Sequence, residues 1–381
     1  MSVAQAYSLN LSESQVPDAN QCVSSIILHK FPGSDLRSMW RSYLSRLECP
    51  AHYDSPAFFL EPFWTGKRPF AILAIDGDRI TGVLTGIHDG KHVLSGLPSR
   101  PQISVDPGSD QHAVLEALMQ GLLREAESAE TISVYTWSSL ELDVFAAQGF
   151  RRRLLAGNVV LDLAEGAEGL FLQFAKDRRR NVRFAEKHGI EISEATTPED
   201  VAEAYEVYRQ WRRTDRKQIL SEERSFEVFA GAVQLTDNKR LFLARLSGKV
   251  IAVNSFRYHP NGLFESAANY SLEDFLHLKP NDLLQWKGIE WACRHGFRRH
   301  SLGGSHEFLR RFGGTVVTIL RYRLDRSLLR QHHLAETVCD LGRATLRSLP
   351  ISVEHRVRYL LKGVGLRNGV IQQKVMRSAR A

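Results

Sequence analysis

The sequence predicts an α/β protein of two tandem units, each a mixed, mostly antiparallel sheet flanked by helices. Three observations support this. With 381 residues, 43% apolar and 24% charged, the chain has an ordinary globular composition and enough length to bury two cores. Each half contains a meander of three apolar-rich runs, followed by a Pro-containing loop, a helix and a further strand. Residue identity between the halves is low, so the repeat is one of pattern, and it reads as a duplication of one fold.

The expected boundaries are 1–21 for a loose polar start, 22–165 and 166–326 for the two units, and 327–381 for a basic helical tail. In the first unit, Ser34–Leu47 sets Leu36, Trp40, Tyr43, Leu44 and Leu47 along one side of a helix. The aromatic, Pro-broken stretch Cys49–Trp64 follows. Phe70–Asp76, Arg79–His88 and Lys91–Gly96 are separated by Gly77-Asp78 and Asp89-Gly90, pairs that favour tight turns. A Pro-rich loop leads to a helix over Gln111–Ala126, a strand over Thr131–Trp137, a helix over Glu141–Gln148 closed by Gly149, and a strand over Asn158–Leu163.

Between the units, Leu170–Ile192 sorts as a helix, with Phe171, Phe174, Ala175, Val182 and Ala185 on one face and Lys176, Arg180, Arg183 and Lys187 opposite. Arg178 projects on the apolar side, where a guanidinium either snorkels out or meets a buried anion. Pro198–Lys217 and Ser221–Leu235 read as helices. The second meander is Leu241–Leu246, Val250–Tyr258 and Leu263–Tyr270, split by Ser247-Gly248-Lys249 and His259-Pro260-Asn261-Gly262. Asn281 stands at the expected N-cap of the next helix, its face Leu284, Gly288, Trp291 and Ala292 follows, and Gly296 stops it. The strand Phe297–Leu302 ends in Gly303-Gly304. Ser327–Leu349 reads as a helix, and nine Lys and Arg between Arg343 and Arg380 face only Asp340 and Glu354. Such a basic amphipathic end suits anionic lipid or RNA, or else caps the second unit as a solvated appendage.

The net charge of +7 favours anionic partners such as nucleotides, RNA, phosphosugars or acidic lipid. Cys22, Cys49, Cys293 and Cys339 lie far apart without CxxC spacing, which argues against a disulfide framework or a thiolate metal site. The first residues have no basic n-region and no apolar h-region, and no run nears the roughly 20 apolar residues of a membrane helix. A cytoplasmic protein is expected, with peripheral contact at the inner membrane face left open. The absence of GxSxG, GxxxxGK[ST] and HExxH excludes the common serine-hydrolase, P-loop kinase and zinc-protease arrangements.

Three stretches resemble a known family. DRRRNVRFAEKHGIEI at Asp177–Ile192 resembles the arginine-rich RRNIRKAEK helix of the Fem-type branch of the GNAT superfamily. LKPNDLLQWKGIEWACRHGFRRHSLGG at Leu278–Gly304 is similar to that family's Pro-Asn, Trp-bearing helix and Gly-ending strand, and FLRRFGG at Phe308–Gly314 resembles its FKxxFG element. These cover most of the second half. The first half matches in layout, helped by FAILAIDGDRITGVLTG at Phe70–Gly86. The family's lysine is replaced here by Leu309-Arg310-Arg311, and the coiled-coil hairpin of some bridge-forming members is absent. The resemblance implies two GNAT-like domains and transfer of an acyl or aminoacyl group to an amine of a phosphate-bearing or sugar-linked acceptor; the two departures bear on the cell-wall bridging role and leave the broader acyltransferase reading intact. It implies aminoacyl-tRNA or acyl-coenzyme A as donor and no metal.

Acyl transfer to an amine needs a neutral amine, donors for the tetrahedral oxyanion and a path for the proton. In the GNAT fold two splayed strands offer free backbone N–H groups. The Q/RxxGxG/A loop that usually holds the coenzyme pyrophosphate is missing from HLKPNDLL and SRPQISVDPGSD. Lys279, beside Asn281, offers one phosphate contact, or is a solvated loop lysine. Glu265 and His306 are the candidate bases. Glu265 serves if it faces inward, and is otherwise a half-exposed strand residue paired with Arg257; a substrate phosphate that takes the proton would dispense with both. Arg178, Arg180 and Arg310 are the candidate phosphate ligands, since a guanidinium grips phosphate with two donors. Asn269 and Tyr270 are placed to orient the acyl or amino group, and Trp286 and Trp291 read as core. One rival reading is an acyl-coenzyme A N-acyltransferase of polysaccharide or envelope biosynthesis. The other is a non-catalytic RNA- or membrane-binding protein that uses Arg178–Lys187 and the tail.

Overall fold

In a computed structural model, residues 23–64, 66–140, 142–214, 223–233, 238–260 and 262–348 are described. The polar start up to Cys22 and the tail beyond Ser348 lie outside them. The strands are β1 (Val23–Leu28), β2 (Arg68–Asp76), β3 (Arg79–His88), β4 (His92–Ser95), β5 (Ile103–Val105), β6 (Thr131–Trp137), β7 (Arg151–Asp162), β8 (Ile190–Glu194), β9 (Lys239–Leu246), β10 (Lys249–Tyr258), β11 (Leu263–Ser271), β12 (Arg299–Ser301) and β13 (Thr315–Asp325). They join in one sheet of order β1-β2-β3-β4-β6-β13-β7-β12-β11-β10-β9-β8, with β5 paired to β3 off this path. The helices are α1 (Ser34–Leu44), α2 (Gln111–Glu125), α3 (Asp143–Ala147), α4 (Gly166–Gln173), α5 (Lys176–Lys187), α6 (Pro198–Arg213), α7 (Phe226–Val233), α8 (Pro280–Arg294), α9 (Glu307–Arg310) and α10 (Gln331–Ser348).

The two halves meet through an exchange of strands. β13 runs between β6 and β7 over Ile319–Arg323, closing the first sheet. β7 in turn runs between β13 and β12, with Val160 opposite both Thr315 and Ser301, closing the second. Gly157 marks the crossing. Its φ is +78°, and a Cβ there would stand 2.1 Å from the Val317 carbonyl oxygen, so only glycine fits.

The borrowed strands enter both cores. Leu320 and Tyr322 of β13 pack with Phe70, Leu118 and Phe145 beneath α2 and α3. Val159 and Leu161 of β7 pack with Phe174, Phe264, Trp286 and Trp291 beneath α4, α5 and α8. The opposite faces are covered by α1, with Trp40 and Tyr43, and by α6 and α7, with Tyr208 and Phe229. Among the described residues no helix is long and apolar enough to cross a membrane.

Three local expectations change. The strand expected to begin at Asn158 begins at Arg151 as β7, and its added length pairs with β13. The helix read through Leu170–Ile192 breaks at Phe174 and Ala175, whose ψ angles of 143° and 145° are extended, and β8 starts at Ile190. Asn281 is not the N-cap of α8. Pro280 takes the first helical position, and its ring disfavours a right-handed helical residue before it, so the cap is Lys279 with φ +64°.

Candidate active site

β11 is the strand from which the site is built. Ser255 opposes Ala268 while Phe256 opposes Ser266, so Ala267 bulges out of the ladder with β10. On its other side β11 pairs in parallel with β12 only over Leu263–Glu265. From Ser266 onward that edge has no strand partner among the described residues, and the two strands diverge. Gly303, at φ +80°, turns the chain away beside the Ser266 carbonyl. Just below the divergence His300 is fully buried against Phe256 and Phe264, and burial lowers its pKa to about 3. Its neutral ring meets the Ser266 hydroxyl through Nε2 at 3.2 Å.

The start of α8 lies against the end of β11. Ser271 Oγ donates to Asn281 Oδ1 at 2.5 Å and lies 3.5 Å from Asn269 Oδ1, tying the exposed Asn269 to the helix's first turn. Among the described residues no side chain caps α8. Lys279 is half-buried beside it. Tyr270 points the other way, buried with its ring 5.0 Å from Tyr208 and 4.9 Å from Trp211, and it anchors β11 on α6.

The first unit fills the corresponding places. β4 and β5 lie along β3 as two pieces of one strand, and residues 96–102 loop out between them. Asp110 caps α2, its Oδ1 accepting from the His112 and Ala113 amides at 3.0 and 3.2 Å. The loop crosses to the second unit. Arg100 Nε stands 3.7 Å from Glu265 Oε1, Arg100 Nη2 donates to the Ser266 carbonyl at 3.4 Å, and Asn158 Nδ2 donates to the Ser99 carbonyl at 2.5 Å.

Glu265 therefore faces inward. It is 2% exposed, the inward-facing one of the two alternatives the sequence left open, and Arg257 stands directly opposite it on β10. Burial raises its pKa, opposed by Arg100 and Arg257, and its Oε2 has no hydrogen-bond partner among the described residues. Both guanidiniums lie 5.6 Å from the centre of the Tyr53 ring. Beyond Arg257, Glu61 Oε1 meets His52 Nε2 at 2.8 Å and Lys239 Nζ at 3.0 Å. Burial works to raise the Glu61 pKa, but Arg257, His52 and Lys239 overcome it and hold it at about 2. Burial pushes Asp54 up to about 7.

His306 and Arg310 share a cavity of about 490 Å³ with Ser99, Tyr135, Gly304 and Arg321. His306 precedes α9 and its pKa is lowered by burial, which favours a neutral ring. Arg310 is held by a 2.6 Å bond from Nε to the Ser305 carbonyl. Arg321 is buried, with Nη2 2.6 Å from Glu336 and Nε unpaired among the described residues.

The remaining candidates are dispersed. Arg178 meets its buried anion inside the protein: Nη1 donates to Asp282 Oδ1 at 2.8 Å, Nη2 lies 3.1 Å from Asp177, and the guanidinium covers Phe308. Arg180 is exposed on α5 with Arg183 and Lys187. Sequence reasoning missed Ser99, Arg100, Tyr135 and Arg321. Their only trace was the Pro-rich loop and the alternation of Arg321 and Arg323 along an apolar strand. Among the described residues no three His, Cys, Asp or Glu side chains converge as metal ligands would.

Residues 173–311 match the family model for the acetyltransferase (GNAT) domain. No curated protein matches the chain in sequence. Among solved structures, FemX is similar at 13% identity and a TM-score of 0.54, over 81% of this chain and 99% of its own. A tandem GNAT protein from the clavulanic acid biosynthesis pathway is similar at 14% identity and 0.52, over 80% and 99%. L-PGS from Bacillus licheniformis is similar at 12% and 0.54, over 83% and 98%. At such identities the likeness is one of fold, and it spans both units. The second half thus matches the GNAT domain by sequence over residues 173–311, and the chain as a whole has a fold similar to that of FemX and the tandem GNAT protein.

Proposed function

We propose that the chain is an acyltransferase that moves an acyl or aminoacyl group to an amine of a phosphate-bearing or sugar-linked acceptor, with the chemistry at the divergence of β11 and β12. The observation that carries this reading is an asymmetry. Among the described residues β11 has no strand partner on that edge from Ser266 onward and α8 has no side-chain cap, while in the first unit β3 is flanked by both β4 and β5 and α2 is capped by Asp110.

In this reading a donor carbonyl lies along the open edge, where main-chain N–H groups beside Ala267 stabilise the oxyanion. Asn269 orients the donor. The first turn of α8 and Lys279 face its phosphates, a weaker grip than a glycine loop gives because Pro280 contributes no N–H. The acceptor occupies the cavity, its phosphate on Arg310 and Arg321. The amine must lose a proton as it attacks, and either His306, neutral near pH 7, or Glu265, with its raised pKa, takes it. The amine's lone pair forms the new C–N bond and the donor leaves with its electron pair. Both acyl-coenzyme A and aminoacyl-tRNA are cytoplasmic donors, and the exposed Arg180, Arg183 and Lys187 on α5 suit the second.

The test is label transfer from acetyl-coenzyme A and, separately, from charged tRNA to amine-bearing sugar phosphates. Transfer from either donor supports the reading and identifies the donor. No transfer and no saturable binding of either donor would sink it and favour a non-catalytic binding protein.

A further inference from the structure

Helix α10 rests on the face of β13 through ion pairs on one of its sides. Glu336 meets Arg321 and Arg323, and lies 3.5 Å from Arg153; Asp340 lies 2.6 Å from Arg153. The opposite side carries Leu334, Val338 and Leu341 at helical spacing, 58%, 60% and 63% exposed. The turn before the helix adds Leu328 and Leu329, 82% and 83% exposed, and Leu329 and Arg330 hold left-handed backbone at φ +56° and +48°. Single exposed apolar residues are ordinary, but three at helical spacing on one side, with two more in the turn before the helix, expose apolar surface that water does not favour.

The chain that follows indicates what covers it. Residues 349–381 carry seven Lys and Arg against Glu354, so six of the protein's seven net positive charges lie directly beyond α10. A second copy would bring two such tails together. A nucleic acid would gain little from aliphatic side chains that offer no stacking surface. An anionic bilayer satisfies both features, taking the leucines and valine into its boundary region and the cations at its headgroups.

We propose that α10 and its preceding turn dock on an anionic lipid surface, with residues 349–381 supplying the electrostatic part of the attraction. Arg321, which also lines the cavity, is met by the inner side of the helix, so α10 stands between that residue and the docked face. This does not depend on the acyl-transfer reading.

The experiment is co-sedimentation of the full chain with vesicles of phosphatidylglycerol and phosphatidylcholine, and with vesicles of phosphatidylcholine alone, at low and high salt. Binding is expected to the first only, to weaken at high salt, and to fall about tenfold or more in the triple variant Leu334→Asp, Val338→Asp, Leu341→Asp. Because these side chains are exposed, the variant should keep the parent melting temperature. No binding to phosphatidylglycerol vesicles overturns the proposal, as does equal binding by the triple variant. Concentration-dependent dimerisation abolished by the same substitutions, without vesicle binding, would assign the patch to a second copy.

Discussion

Glu265 combines features rarely left idle: burial, a carboxylate oxygen without a hydrogen-bond partner among the described residues, and Arg100 from the other half of the chain within reach. As the base, it works only once deprotonated, so activity should rise with pH through a limb above the ordinary carboxylate range. Glu265→Gln should abolish that limb and lower turnover by about 10²–10⁴ with donor KM little changed. His306, with its lowered pKa, would also give a limb that rises with pH, below the ordinary histidine range. Only the comparison with His306→Gln separates the two, and the residue whose replacement leaves the pH profile intact is not the base. Arg178 invites a different measurement. Its removal strands the buried Asp282 carboxylate, so Arg178→Ala should destabilise by about 2–4 kcal/mol, and the double variant with Asp282→Ala should lose less than the sum. Loss of acceptor affinity without loss of stability would instead make Arg178 a ligand. Asp54 supplies a pH dependence of stability. Its folded pKa of about 7 exceeds the ordinary aspartate value of 3.8, so the folded state holds the extra proton between them. Its stabilising contribution is full below pH 3.8 and is lost as pH rises towards 7. Asp54→Asn should flatten that slope in urea titrations.

At the scale of elements, the crossing of β7 and β13 depends on Gly157. Gly157→Ala meets both a positive φ and the Val317 carbonyl, so it should cost more than about 2 kcal/mol and lower the thermal midpoint, whereas Gly189→Ala, with open space for its Cβ, should cost less. Much of this layer was legible. The meander strands began and ended within a residue or two of expectation because Gly77-Asp78 and Ser247-Gly248 advertise their turns, and the open edge of β11 followed from the resemblance. The break at Phe174-Ala175 was not legible, since neither glycine nor proline marks it and helical periodicity continues across it. The reach of Arg100 to Glu265 joins positions far apart in sequence, and such a contact leaves no periodicity. Asn281 misled because an asparagine before an apolar run looks like a cap, whereas Pro280 had already taken the first helical position.

For the whole molecule, neither half is complete by itself. A fragment of residues 1–165 lacks the strand that sits between β6 and β7, together with Leu320 and Tyr322 of its core. Alone it should give poor amide dispersion and broad unfolding, and co-expression with residues 166–381 should restore a cooperative transition. A fragment that folds sharply by itself would mean the exchange is dispensable. The same arrangement explains how a site of the second unit is lined by Ser99 and Arg100 of the first: the shared strands fix the two halves at a set distance and angle.

The exchange also orders events during synthesis. Among the described strands β13 is made last, after all the others of the second unit, so the first sheet cannot close when its own sequence has left the ribosome. The edge of β6 and the partner side of β7 stay unpaired while the entire second unit is produced, a period in which they can pair with other nascent chains. Yield in the cell should therefore depend on chaperone supply and translation speed, and stalling before Thr315 should be far more harmful than stalling after Asp325.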